Sequence, residues 1–191
     1  MSTSFNENKP WKSQNDVSGE ATPKKPALFL DRDGVINIEK NYLHKQEDFE
    51  FIDGIFELCH FYQDKGYLIV VVTNQSGIAR GYYSETDFAN LTSWMVDAFD
   101  REGIRVSQVY HCPHHPDISG VCECRKPHPG MLLKAAKELD IDLQSSVLVG
   151  DSERDIEAAH SAGLKETYLF SESEKETTAT QNIHSLRSLI C

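Results

Sequence analysis

Three short apolar runs in this chain each end abruptly on a polar side chain, and that pattern constrains the fold more than any other feature. Ala27-Leu28-Phe29-Leu30 stops at Asp31, Tyr67-Leu68-Ile69-Val70-Val71-Val72 stops at Thr73, and Val147-Leu148-Val149-Gly150 stops at Asp151. Continuous runs of this kind mark strands buried on both faces. Val106–Tyr110 and Thr167–Phe170 add two shorter strands. Helical patterns lie between them. Ile55–Lys65 repeats Ile55, Leu58, Cys59 and Tyr62 at helical spacing, and Gly66 sits at the C-terminal cap position. Ser84 and Asp87 form an N-terminal cap pattern ahead of Phe88, Leu91, Met95 and Phe99. Pro129–Leu139 carries its proline near the helix start, and Ile156–Ala162 runs into Gly163. Ser171–Gln181 reads as a loop, and Ile183–Ile190 as a final short helix.

Alternating buried strands and helices predict an α/β fold of the Rossmann-like kind, a parallel sheet with helices on both faces. Such sheets bind ligands beyond the carboxyl ends of their strands. Asp31, Thr73 and Asp151 would all stand at that edge, so they point to one site.

A chain of 191 residues is enough for one domain with a sizeable core. The expected division is a disordered tail over 1–25, rich in Ser, Asn, Lys, Glu and Pro, and a single domain over 26–191. The formal net charge of -11 argues against a general nucleic-acid surface. Any phosphate site must then be built locally, from a metal, a few cations and backbone N–H groups. No apolar stretch reaches the length of a membrane span, and the N-terminus lacks the apolar core of a signal peptide. The expectation is a cytoplasmic monomer that binds a small molecule, with its five cysteines free or metal-bound rather than paired in disulfides.

Asp31 and Asp33 stand two apart just after a strand, with Gly34 allowing a tight change of direction. An Asp-x-Asp pair alone is usually a turn or a helix cap. Its position here supports more: one carboxylate can attack phosphorus, and its neighbour can protonate the leaving oxygen and then activate water. Mg²⁺ is the natural counter-ion for such oxygen ligands, and Asp151 offers a further ligand from another strand end. Asp155, one helical turn on, either supports Asp151, holds Lys126 or caps its helix. Thr73, Asn74 and Lys126 can hold phosphoryl oxygens.

Cys112-Pro113-His114-His115 and Cys122-Glu123-Cys124 fall in one aperiodic loop, 112–124. Four of these side chains can make a tetrahedral Cys₃His zinc site, with His114 and His115 both open as the histidine ligand. A closed site of this type is structural and folds a loop too polar to fold itself. Cys59 reads as core, Cys191 as free, and His128 as structural.

The ordered set Asp31-Arg32-Asp33-Gly34, Thr73-Asn74-Gln75-Ser76, Arg125-Lys126-Pro127 and Gly150-Asp151-Ser152-Glu153-Arg154-Asp155 resembles the haloacid dehalogenase superfamily. The resemblance runs from about Pro26 to Phe170. It implies a Rossmann-like fold, catalytic Mg²⁺ and an aspartyl-phosphate intermediate. It also implies that Asp31 is the nucleophile, Asp33 the general acid and base, and Thr73 and Lys126 the phosphoryl-stabilising pair. Asp31, the Asp33 carbonyl and Asp151 would hold Mg²⁺. The Cys/His loop, with Val71–Gly81 and Cys124–Leu132, narrows the resemblance to the D-glycero-D-manno-heptose-1,7-bisphosphate 7-phosphatase family, whose near relative is the histidinol-phosphatase domain. This implies that Cys112, His114, Cys122 and Cys124 bind Zn²⁺. It implies that Arg125 recognises the substrate, and that Glu39, Lys40, Asn41 and Tyr42 contact it along with Asn74, Gln75 and Ser76. The family often has Asp-x-Gly-Tyr where this chain reads Glu39-Lys40-Asn41-Tyr42. The implied reaction is removal of the 7-phosphate from a sugar bisphosphate, feeding nucleotide-activated heptose for surface glycans.

No long insertion separates Asp33 from Thr73 or Thr73 from Lys126, so no large cap domain is expected. The alternatives are a histidinol-phosphate phosphatase, or a zinc-stabilised binding protein on an inactive phosphatase fold. The second would lack Asp31 or Asp33, and both are present. No Gly-x-Gly-x-x-Gly follows a predicted strand, which argues against a dinucleotide site.

Overall fold

The computed structural model describes residues 23–190. The tail expected over 1–25 lies outside them up to residue 22, as does Cys191. Lys25 is already part of the fold, its backbone bridging Asp140 and Asp142.

Six parallel strands form one sheet: β1 (Ala27–Leu30), β2 (Leu68–Asn74), β3 (Val106–Cys112), β4 (Val147–Gly150), β5 (Glu166–Phe170) and β6 (Gln181–Ile183). Their order is β3-β2-β1-β4-β5-β6. The chain builds outward from β1 in one direction and then crosses to build from β4 in the other. The switch point is therefore at β1, where ligand crevices open in such sheets.

Pleating sends alternate β1 residues to opposite faces. Leu28 and Leu30 join Ile69, Val71, Val147 and Val149 under Leu58 of α1 (Ile55–Asp64) and Met95 and Phe99 of α2 (Glu85–Arg101). Ala27 and Phe29 join Val70, Val72 and Leu148 under Met131 and Ala135 of α4 (Gly130–Glu138) and Ile156 and Ala159 of α5 (Glu153–Ala162). The two-faced core explains why the strands read as unbroken apolar runs. Cys59 is fully buried in it, as expected.

The expected caps form. Ser84 and Asp87 make a reciprocal capping box on α2, and Gly163 closes α5 in the left-handed conformation. Two expectations need correction. The aperiodic loop contains a short helix, α3 (Pro116–Ser119). The helix expected over Ile183–Ile190 is instead the edge strand β6 followed by a 3-10 turn, Leu186–Leu189. The N-terminus of α5 is closed by Ser152 in a capping box with Asp155, which leaves the Asp151 carboxylate free of a capping role.

Among the described residues, no separate cap domain is inserted after β1 or β2, and no helix is long and apolar enough to cross a membrane.

Candidate active site

Adjacent strands β1, β2 and β4 end together, and their ends meet at one charged cluster. Carboxylate oxygens of Asp31, Asp151 and Asp155 lie within 4.8 Å of one another. Lys126 is buried beneath them, its Nζ 2.9 Å from Asp31 Oδ2, 2.7 Å from Asp155 Oδ1 and donating to the Val72 carbonyl at 2.7 Å. Asp155 thus fulfils two of its expected roles, holding Lys126 and capping α5. Asn74 fixes the lysine's backbone with a reciprocal amide pair, 3.1 Å each way.

Two glycines permit the crowding. A Cβ on Gly34, which has φ of +83°, would lie 2.1 Å from Asp151 Oδ2. One on Gly150 would lie 2.3 Å from the Asp155 Cβ. The carboxylates can therefore close on one point only because these two positions carry no side chain.

The cluster is short of positive charge. Burial, reinforced by repulsion from Asp155 and Asp151 and opposed by Lys126, pushes the Asp31 carboxyl up to about 8. Burial and the nearby Asp155 charge raise Asp151 to about 6. Burial also opposes ionisation of Asp155, but Lys126 and the Ser152 hydrogen bonds outweigh it and hold Asp155 below the usual carboxylate range. Three crowded oxygen donors with one lysine between them suit a hard divalent cation.

Asp33 faces a different set. Its Oδ1 accepts from Arg32 Nε and Nη2 and from Asn37 Nδ2, and its Oδ2 accepts from Arg32 Nη2 and Gln75 Nε2. Gln75 also donates to Thr73 Oγ1 at 2.8 Å and accepts from Tyr83 Oη at 2.5 Å. Thr73 is buried below this network.

A cavity of about 340 Å³ opens over the cluster. Asp33, Glu39, Asn41, Tyr42, Asn74, Gln75, Ser76, Arg125 and Asp151 line it, all of them expected site residues. Lys40 does not; its exposed Nζ pairs with Glu50 at 3.4 Å. The lining also includes Tyr83 and Arg154, which the sequence reading passed over. Arg32 was missed as well. Burial of Tyr83 at the residue before a capping box was a readable signal. A lone arginine inside Asp-Arg-Asp gave none.

In the Cys/His loop it is His114, and not His115, that clusters with the three cysteines. The Sγ atoms of Cys112, Cys122 and Cys124 and Nδ1 of His114 all lie within 4.8 Å of one another. Individual separations run from 3.1 Å (Cys112 to Cys124) to 3.5 Å (Cys112 to Cys122 and to His114). They are close to the edge of about 3.8 Å that a tetrahedron with Zn–S bonds of about 2.3 Å requires. His115 is used elsewhere: its Nδ1 caps α3, and its Nε2 lies 2.7 Å from Arg80. Arg125 donates from the cavity rim to the His114 carbonyl at 3.2 Å, tying this loop to the site.

Residues 123–185 match a family model described as "HAD-hyrolase-like". The D-glycero-alpha-D-manno-heptose-1,7-bisphosphate 7-phosphatase of Campylobacter jejuni is 48% identical over 167 residues, covering 87% of this chain and 95% of that protein. The chain belongs to the heptose-1,7-bisphosphate 7-phosphatase family. The beta-heptose counterpart from Vibrio cholerae is 50% identical over 145 residues, covering 73% of this chain and 78% of that protein. Among solved structures, the D,D-heptose 1,7-bisphosphate phosphatase of B. bronchiseptica, complexed with magnesium and phosphate, superposes with a TM-score of 0.76. It is 30% identical and covers 86% of this chain and 96% of that chain. Membership in this family makes the protein a phosphatase of the haloacid dehalogenase type.

Proposed function

We propose that the chain removes the 7-phosphate of D-glycero-D-manno-heptose 1,7-bisphosphate through an aspartyl-phosphate on Asp31. The observation that carries this reading is the convergence of Asp31, Asp151, Asp155 and buried Lys126 at three adjacent strand ends. The named relatives supply the substrate class.

Asp31 attacks phosphorus with a carboxylate oxygen as the ester P–O bond breaks, and the carboxylic acid of Asp33 gives its proton to the departing sugar oxygen. Asp33, now a carboxylate, takes a proton from water as the water oxygen bonds phosphorus and Asp31 is released. Lys126 holds Asp31 oriented, and Thr73, Ser76 and nearby backbone N–H groups receive the phosphoryl oxygens. Asp31, the Asp33 carbonyl and Asp151 are the proposed Mg²⁺ ligands, with Asp155 behind them. Bound there, Mg²⁺ supplies the charge that lets these carboxylates ionise together beside a phosphate. Arg125 would meet the second phosphate: among the described residues its guanidinium makes one hydrogen bond, to the His114 carbonyl, and its remaining donors are open to an anion. Zn²⁺ on Cys112, His114, Cys122 and Cys124 would fix the loop that carries Arg125. A reduced thiolate set of this kind fits a cytoplasmic enzyme, and its catalytic domain takes in Lys25 and the sheet and helices that follow.

The test is ³¹P NMR of products and initial rates on both heptose 1,7-bisphosphate anomers and on histidinol phosphate. Loss of the 7-phosphate with the 1-phosphate retained is expected. Faster turnover of histidinol phosphate would overturn the substrate assignment.

A further inference from the structure

We infer that Arg32 is a positioning residue that fixes the Asp33 carboxylate and ties it to the substrate-facing segment 39–44. Its guanidinium is buried, 1% exposed, and spends both Nε and Nη2 on Asp33, at 3.2 Å and at 2.9 Å to each oxygen. Nη2 also donates to the Leu43 carbonyl at 2.9 Å. Leu43 directly follows Asn41 and Tyr42, which line the cavity with left-handed φ of 46° and 60°. One side chain thus links the acid–base carboxylate to the segment under the substrate.

Stability alone is a poor reason for this arrangement. Nη1 is buried and has no acceptor among the described residues. A buried charge with an unanswered donor costs more than an apolar side chain of the same volume. What the fork gains is geometry. With Asn37 and Gln75 it leaves the Asp33 carboxylate one orientation, because a planar two-point contact fixes a carboxylate where a lysine's point charge does not. The fork thereby holds the Asp33 carboxyl at the cavity wall in the one orientation from which its proton can reach a leaving oxygen. Arg32 therefore assists the step in which that proton moves.

This inference rests on Asp33 acting as the acid. The experiment compares kcat/KM on phenyl phosphate and on 4-nitrophenyl phosphate for wild type, R32K, R32A and D33N. This parameter covers steps up to loss of the alcohol, and a nitrophenolate leaves without a proton. The ratio between the two substrates, measured on one sample, does not depend on the folded fraction, so a poorly folding variant still reports. R32K is expected to lose about 10- to 100-fold on phenyl phosphate and under about 3-fold on the nitrophenyl ester, in the direction of D33N. Equal losses on both substrates, or none, in R32K and R32A while D33N discriminates would overturn the role of Arg32. If D33N itself shows no discrimination, the reading of Asp33 fails first.

Discussion

Replacing Lys126 by Met should destabilise the metal-free protein by an amount that depends strongly on pH. The lysine is 2% exposed and contacts Asp155, Asp31 and the Val72 carbonyl. In the metal-free wild type, Asp31 is the neutral partner near pH 7, because its carboxyl titrates at about 8. Lys126 and Asp155 then form the ionised pair. Without Lys126, Asp155 is a lone buried charge, and its cheapest escape is to bind a proton. The starting value of 3.8 puts that cost at about 4 kcal/mol at pH 7, falling by about 1.4 kcal/mol per pH unit to under about 2 kcal/mol at pH 5. This agrees with the roughly 3–5 kcal/mol that breaking a buried pair costs. The sign follows from linkage. In the wild type Asp155 is depressed and adds stability above its unfolded value; in the variant it is raised and subtracts. The gap therefore widens as pH rises. For a chain of this size, thermal unfolding should show Tm lowered by about 8–16 °C at pH 7 and by half of that or less at pH 5. A pH-independent gap, or one of under about 1 kcal/mol at pH 7, would show that Lys126 is not what keeps Asp155 ionised.

Three further outcomes follow from the same geometry. Metal-free wild type should lose stability as pH rises from about 4 to about 8, because Asp31 and Asp151 titrate at about 8 and about 6 in the fold and bind protons that the unfolded chain releases. Mg²⁺ should accordingly raise Tm more at pH 8 than at pH 6, and the opposite order in calorimetry would contradict this. Gly34→Ala should reduce turnover at least about 100-fold with the zinc content intact, since its Cβ would strike Asp151 Oδ2 in a left-handed backbone; near-normal rates would show that Asp151 has room to move. Cys122→Ser should lower bound zinc well below one equivalent (about one per chain for a single tetrahedral site) and lower Tm by more than about 5 °C. A variant with full zinc and unchanged Tm would remove the structural role of the loop.

The site was legible where polar residues follow buried strands. Asp31, Thr73 and Asp151 could be placed together because β1, β2 and β4 read as apolar runs and the topology brings their ends together. The edge was less legible. Gln181–Ile183 has too little apolar character to show as a strand, and it forms only because the edge of β5 offers it hydrogen-bonding partners. Side-chain pairings within the loops were not readable at all. Arg32 adjoins Asp33 in the chain, yet nothing in the sequence marks it as the residue that holds Asp33, or Tyr83 as the donor to Gln75, since both bonds depend on how the loops turn over the sheet. Lys40 shows the converse: its position in the motif pointed to the substrate, yet its side chain pairs outward with Glu50. Sequence spacing likewise left His114 and His115 equivalent, because it does not show that α3 takes His115 as its cap while His114 lies with the cysteines.

On the proposed mechanism Asp31 carries the phosphoryl group during turnover. Rapid acid quench of the Mg²⁺-loaded enzyme with substrate labelled in the 7-phosphate, followed by peptide mapping, measures this directly. Label is expected on the peptide containing Asp31, appearing before free phosphate and absent from Asp31→Asn. Turnover without any label on the protein, or label retained in Asp31→Asn, would contradict it.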